Sequence, residues 1–175
     1  MRASRIHIPQ HGAGAPSLLK HVSVLVAEDQ TFIALDLALA VEDAGGKVVG
    51  PAASCEAAML LLSNGIVGAA ILDVNLVDGD CSALVEVLVD LCVPFIIHTA
   101  VDLPPALSAR FSGLVVQIKP CPPANLVARL ESMMAGHERA VVISLSVVRS
   151  RAGHRVGLRA KVRGSRPPVA TCFSD

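Results

Sequence analysis

The sequence contains no Trp and no Tyr and only four Phe among 175 residues, so Val, Leu, Ile and Ala must fill its core. That scarcity also removes the aromatic platforms on which single-stranded bases stack. Its five cysteines (Cys55, Cys81, Cys92, Cys121 and Cys172) are odd in number and show no C-x-x-C spacing, so neither a disulfide scaffold nor a thiolate zinc site is implied. His7, His11, His21, His137 and His154 show no metal spacing either. Long apolar runs are missing: Val141–Val148 is far short of the ~20 residues a membrane-spanning helix requires. At the amino end Arg2 and Arg5 are followed by His7, Pro9, Gln10, His11 and Gly12, which interrupt any signal-peptide core, so a cytoplasmic protein is expected. No internal repeat is visible.

Net charge is also missing, but only in the sum. Between His21 and Gly136 there are 13 acidic and 4 basic residues, whereas the first 20 residues carry +3 and those from His137 onward +6. The pattern is an acidic domain at residues 21–136 between a basic arm, residues 1–20, and a basic tail, residues 137–175. The tail is rich in Arg, Gly and Pro and too short to build a core, so disorder is expected there. It has no helix-turn-helix pattern, and nucleic acid is not expected as a partner.

What is present is a regular alternation. Five apolar, largely β-branched runs, Val22–Ala27, Lys47–Pro51, Ala69–Leu72, Phe95–His98 and Leu114–Ile118, predict strands. Helix-length segments separate and follow them: Phe32–Val41 closed by Gly45-Gly46, a segment capped by Ser54, one from Asp80 or Cys81 to Leu91, Leu103–Phe111, and Pro122–Ala135. Strict alternation with continuously apolar strands implies an α/β fold, a doubly wound five-stranded parallel sheet. The flavodoxin-like (βα)₅ strand order 2-1-3-4-5 is the leading arrangement, and it puts functional residues at the carboxyl ends of the strands.

Chemistry-bearing residues occur at those ends. Glu28 and Asp29 follow the first strand, Asp73 the third, Thr99 the fourth and Lys119 the fifth. Three carboxylates on one edge repel one another unless a cation intervenes, and hard oxygen donors suit Mg²⁺. Such a site can carry phosphoryl transfer, with one carboxylate as nucleophile and Mg²⁺ and an ammonium neutralising the transferring group. His98 alternates away from the side of Thr99 and reads as a packed histidine, while Asp78 and Asp80 read as loop acids and helix-cap candidates.

The blocks Val24-Leu25-Val26-Ala27-Glu28-Asp29, Ile71-Leu72-Asp73-Val74-Asn75-Leu76, Ile97-His98-Thr99-Ala100 and Ile118-Lys119-Pro120 resemble the signature segments of response-regulator receiver domains, across about two thirds of the chain. The wording of the motifs, with Pro94-Phe95, is similar to stand-alone receivers common in alphaproteobacteria. The resemblance implies that Asp73 accepts the phosphoryl group. It further implies that Glu28, Asp29, Asp73 and the backbone carbonyl of Asn75 hold Mg²⁺, Glu28 through water, and that Thr99 and Lys119 contact the phosphoryl group. A cis Lys119–Pro120 peptide bond follows from the same resemblance. Three features depart from the family pattern: the loop after Asp73 lacks the usual proline, Val116 stands where an aromatic switch residue is common, and Pro104-Pro105 open the fourth helix.

The implied protein is a single-domain response regulator of a two-component phosphorelay, not a turnover enzyme. Its partners would be a sensor histidine kinase or phosphotransfer protein and a downstream protein target, with a homodimer as a further option. Two alternatives remain: a receiver-like interaction module that is not phosphorylated, and an aspartate-nucleophile phosphatase. The phosphatase is disfavoured because Asn75, not a second acid, lies two residues after Asp73.

Overall fold

The computed structural model describes residues 17–135. The expectations for the tail and for residues 1–16 of the arm lie outside them. In chain order the elements are β1 (Ser23–Ala27), α1 (Thr31–Asp43), β2 (Lys47–Ala52), α2 (Cys55–Asn64), β3 (Ala69–Leu72), β4 (Asn75–Leu76), β5 (Gly79–Asp80), α3 (Ser82–Asp90), β6 (Phe95–Thr99), α4 (Pro105–Arg110) and β7 (Val116–Ile118). A last helix, α5, runs over residues 123–135.

The main sheet is parallel throughout, in the order β2-β1-β3-β6-β7. This is the flavodoxin-like order expected for five strands, since β4 and β5 form a separate antiparallel hairpin between the third and fourth. That hairpin was not anticipated. Two-residue strands carry no periodicity, and Val77-Asp78-Gly79 reads as loop.

Alternation along the strands builds two cores. Leu25, Ala70, Leu72, Phe95 and Ile97 face α2, α3 and α4, meeting Ala58, Leu84, Leu88 and Leu107. Val24, Val26, Ile71 and Ile96 face the other way, against Leu37 and Val41 of α1 and Leu126 and Leu130 of α5. All four residues of β3 are buried, as expected for a central parallel strand covered on both faces. Each fully buried Leu or Ile contributes about 1.5–3 kcal/mol, so small aliphatic side chains replace the missing aromatics by number.

Local chemistry sets where the helices begin and end. At the end of α1, Gly45 adopts φ +79° and donates to the Glu42 carbonyl at 2.8 Å, while Gly46 donates to that of Val41 at 2.9 Å. This paired closure needs a left-handed residue, which glycine supplies. Ser54 caps α2 by accepting from the Ala57 amide at 3.1 Å, and Asp80 accepts from the Ser82 amide at 2.8 Å at the start of α3. The fourth helix shrinks from the expected Leu103–Phe111 to Pro105–Arg110, because Pro104-Pro105 can only open it.

The domain also begins earlier than His21. Leu19, assigned to the arm on sequence, is fully buried with the α1 and α5 core, and the Ser17 hydroxyl donates to the Glu131 carboxylate. A single buried leucine in a polar stretch has no period to reveal it. Along the outer side of α1, Phe32, Leu35 and Leu39 are exposed. Among the described residues no helix is long and apolar enough to cross a membrane.

Candidate functional site

The parallel register brings the strand ends level. Ala27 pairs with Leu72, Leu72 with Ile97, and Thr99 with Ile118, so Glu28, Asp73, Thr99 and Lys119 emerge on one edge of the sheet. Backbone hydrogen bonds carry the alignment past the strands: Asp73 donates to Ala27 at 2.8 Å, Glu28 to Ala52 at 2.9 Å and Lys119 to Thr99 at 2.8 Å. The Lys119–Pro120 bond is cis, as is Gly50–Pro51, for which sequence reading offered no signal.

At the centre lies the Lys119 ammonium. It donates to Asp73 Oδ2 at 2.6 Å and to Glu28 Oε2 and Oε1 at 2.8 and 3.0 Å. All three side chains are nearly withdrawn from solvent, with 9% of the Lys119, 6% of the Asp73 and none of the Glu28 side chain exposed. Burying these charges is tolerable only because each has its counter-charge and hydrogen bonds. Burial raises the Glu28 carboxyl above its ordinary pKa, opposed by the Lys119 hydrogen bond and assisted by the charge of Asp73. For Lys119 burial acts downward, but its hydrogen bonds to Asp73 and Glu28 prevail and its pKa is raised.

Asp29 completes the cluster from the solvent side. One ligand oxygen from each of Glu28, Asp29 and Asp73 lies within 4.8 Å of the others. Three convergent carboxylates with an open side form a hard-oxygen donor set that fits Mg²⁺, which keeps several waters and takes few protein ligands. Glu28 is the least accessible of the three, because both its oxygens accept from Lys119.

Other candidates take more local roles. Thr99 is fully buried at the end of β6, and its hydroxyl accepts from the Val101 amide at 3.2 Å. Asn75 lies in β4, its amide 3.3 Å from Asp73 Oδ1. His98 is 3% exposed, and neither ring nitrogen has a hydrogen-bond partner among the described residues. Burial lowers its pKa, with Lys119 adding to the effect and Asp73 opposing it, so the ring is neutral near pH 7.

Asp78, read on sequence as a loop acid or helix-cap candidate, caps a helix that precedes it by more than twenty residues. Its two oxygens accept from the Cys55 and Glu56 amides at 2.7 and 3.0 Å, at the start of α2. These bonds hold its carboxyl below the usual carboxylate range, the Glu56 amide foremost. Nothing in the spacing of residues 55 and 78 could have shown this, since the contact depends on how the hairpin folds back.

No protein-family model matches the sequence, and no curated protein is detectably similar to it. Solved structures are. A CheY-like response regulator receiver domain protein from Methanospirillum hungatei matches over 69% of this chain and 98% of its own, with 20% identity and a TM-score of 0.61. The receiver domain of the Erythrobacter litoralis PhyR response regulator matches over 63% and 90%, at 22% identity and a TM-score of 0.55. The anti-anti-sigma factor PhyR from Bartonella quintana matches over 73% of this chain at 22% identity and a TM-score of 0.56, the likeness spanning 53% of that protein. With the order of the strands, these likenesses show that residues 17–135 have the receiver fold of CheY-like response regulators.

Proposed function

We propose that the protein is a response regulator whose receiver domain accepts a phosphoryl group on Asp73 with Mg²⁺ and signals through protein–protein contact. The observation that carries the reading is the Asp73 carboxylate, held at 2.6 Å from the buried Lys119 ammonium and within 4.8 Å of ligand oxygens from Glu28 and Asp29. An Asp73 oxygen attacks phosphorus, an O–P bond forms, and the bond from phosphorus to the donor's imidazole nitrogen or acyl oxygen breaks. Asp29, Asp73 and the Asn75 carbonyl would hold Mg²⁺, with Glu28 assisting through water, and the ion would supply charge neutralisation for the transferring group.

The residues of the chain do the rest. Lys119, already hydrogen-bonded to Asp73, remains beside the phosphorylated carboxylate and offsets its added charge. Thr99 can exchange its contact with the Val101 amide for donation to a phosphoryl oxygen, which moves the loop that begins α4. Exposed Phe32, Leu35 and Leu39 on α1, which starts two residues after Asp29, offer an apolar face next to the acceptor for a donor or target protein. The donor class is a sensor histidine kinase or phosphotransfer protein.

The test is the intact mass after incubation with acetyl phosphate and Mg²⁺. One phosphoryl adduct, lost with a chelator and absent from Asp73→Asn, is the expected result. Full labelling of Asp73→Asn would remove Asp73 from its role, and no adduct with any donor would leave an unphosphorylated interaction module.

A further inference from the structure

The connection between β2 and α2 touches both loops that carry the acidic cluster. On one side Glu28 donates its amide to the Ala52 carbonyl at 2.9 Å. On the other, Val77 donates to the Ala53 carbonyl at 3.0 Å, and the Asp78 carboxylate takes the Cys55 and Glu56 amides. The loop after Asp73 is closed upon itself as well. Asn75 pairs with Asp80 and Leu76 with Gly79, and the Cys81 amide donates to the Val74 carbonyl at 2.9 Å. Gly79, next to Asp78, adopts φ +141°, a conformation side chains rarely take.

We propose that Asp78 is a positioning residue for the metal site: by binding the start of α2 it fixes the hairpin that presents Asn75, and so sets the affinity for Mg²⁺. The inference rests on the metal reading above and extends it to a residue outside the cluster. Groups that orient metal ligands commonly affect affinity tenfold or more without touching the ion. Coupling is reciprocal, so metal binding in turn steadies the first turn of α2. Ser54 provides an internal comparison, because it caps the same helix but makes no bond to the hairpin.

The experiment is calorimetric titration of the full chain with MgCl₂, alongside amide exchange at Cys55 and Glu56. Asp78→Ala is expected to weaken Mg²⁺ about tenfold and to speed exchange at both amides. Asp78→Asn, which keeps an acceptor oxygen on the same stem, loses less. Ser54→Ala leaves Mg²⁺ affinity unchanged while loosening the helix, and Mg²⁺ slows exchange at Cys55 and Glu56 in the unsubstituted protein. Unchanged affinity in Asp78→Ala overturns the proposal. So does an equal loss in Asp78→Ala and Asp78→Asn that high salt erases, which would mark long-range charge alone. An equal loss in Ser54→Ala would reduce the effect to helix stability. If the unsubstituted protein binds no Mg²⁺, the metal reading itself falls and this inference with it.

Discussion

The two halves of the carboxyl edge are built differently. Around β1 and β3, the loops bearing Glu28, Asp29 and Asp73 are tied by backbone bonds to Ala52 and Ala53 and by Asp78 to α2. Around β6 and β7, the Thr99 hydroxyl meets only the next loop, α4 has six residues, β7 has three, and Ile118 is exposed. Short elements such as α4 and β7 open locally at lower cost than long ones, although β6 itself is buried throughout. The difference teaches that the half bearing Glu28, Asp29 and Asp73 is the rigid, cross-tied one and that the loop after Thr99 is the looser.

The largest test of that contrast is Lys119→Ala, which removes the side-chain bonds that run from the end of β7 to Asp73 and Glu28. Two buried carboxylates then lose their counter-charge, and a loss of about 3–5 kcal/mol is expected in denaturant unfolding without Mg²⁺. If the rigid half depends on charge balance, Mg²⁺ restores much of that loss, and no recovery would count against the shared site. In the unsubstituted protein, Mg²⁺ at a hundred times its dissociation constant should stabilise by about 2.7 kcal/mol. The gain should vanish in Asp73→Asn if Asp73 is a ligand.

A smaller effect concerns His98. Its folded pKa lies below the ordinary value of 6.5, so the unfolded chain binds the proton more readily. The stability this neutral ring allows is present above pH 6.5 and is lost as pH falls below it. His98→Leu removes two buried polar atoms that have no partner among the described residues, and a gain of about 1 kcal/mol with a flatter profile between pH 7 and 5.5 is expected. Urea unfolding at the two pH values measures it. Smallest is Thr99→Val, which forfeits only the bond from Val101 and should cost about 1 kcal/mol or less. Acceptor labelling should survive it, and abolished labelling would show that Thr99 belongs to the rigid half.

Sequence reading located the fold because its signals are periodic. The five strand runs follow from apolar blocks such as Ile71-Leu72 and Phe95–Ile97, and their order from the handedness of parallel crossovers. Glu28, Asp29, Asp73 and Lys119 were legible for the same reason, since strand ends on one edge are forced together by parallel register. Leu19, the β4–β5 hairpin and the partner of Asp78 were not. Leu19 and the Asp78 cap depend on contacts with distant segments, and the hairpin's strands are too short to show a period. The absence of partners for His98 among the described residues was equally hidden, because alternation gives the side of the sheet but not what lies there.

The bond between Ser17 and Glu131 has a practical consequence. It joins the segment entering β1 to the later turns of α5, so both ends of the described chain lie at the amino edge of the sheet. Ser17 and Ala135 therefore bound the described chain on the edge opposite Asp73. A label carried at Ser17 or Ala135 thus leaves the Asp73 edge facing solution.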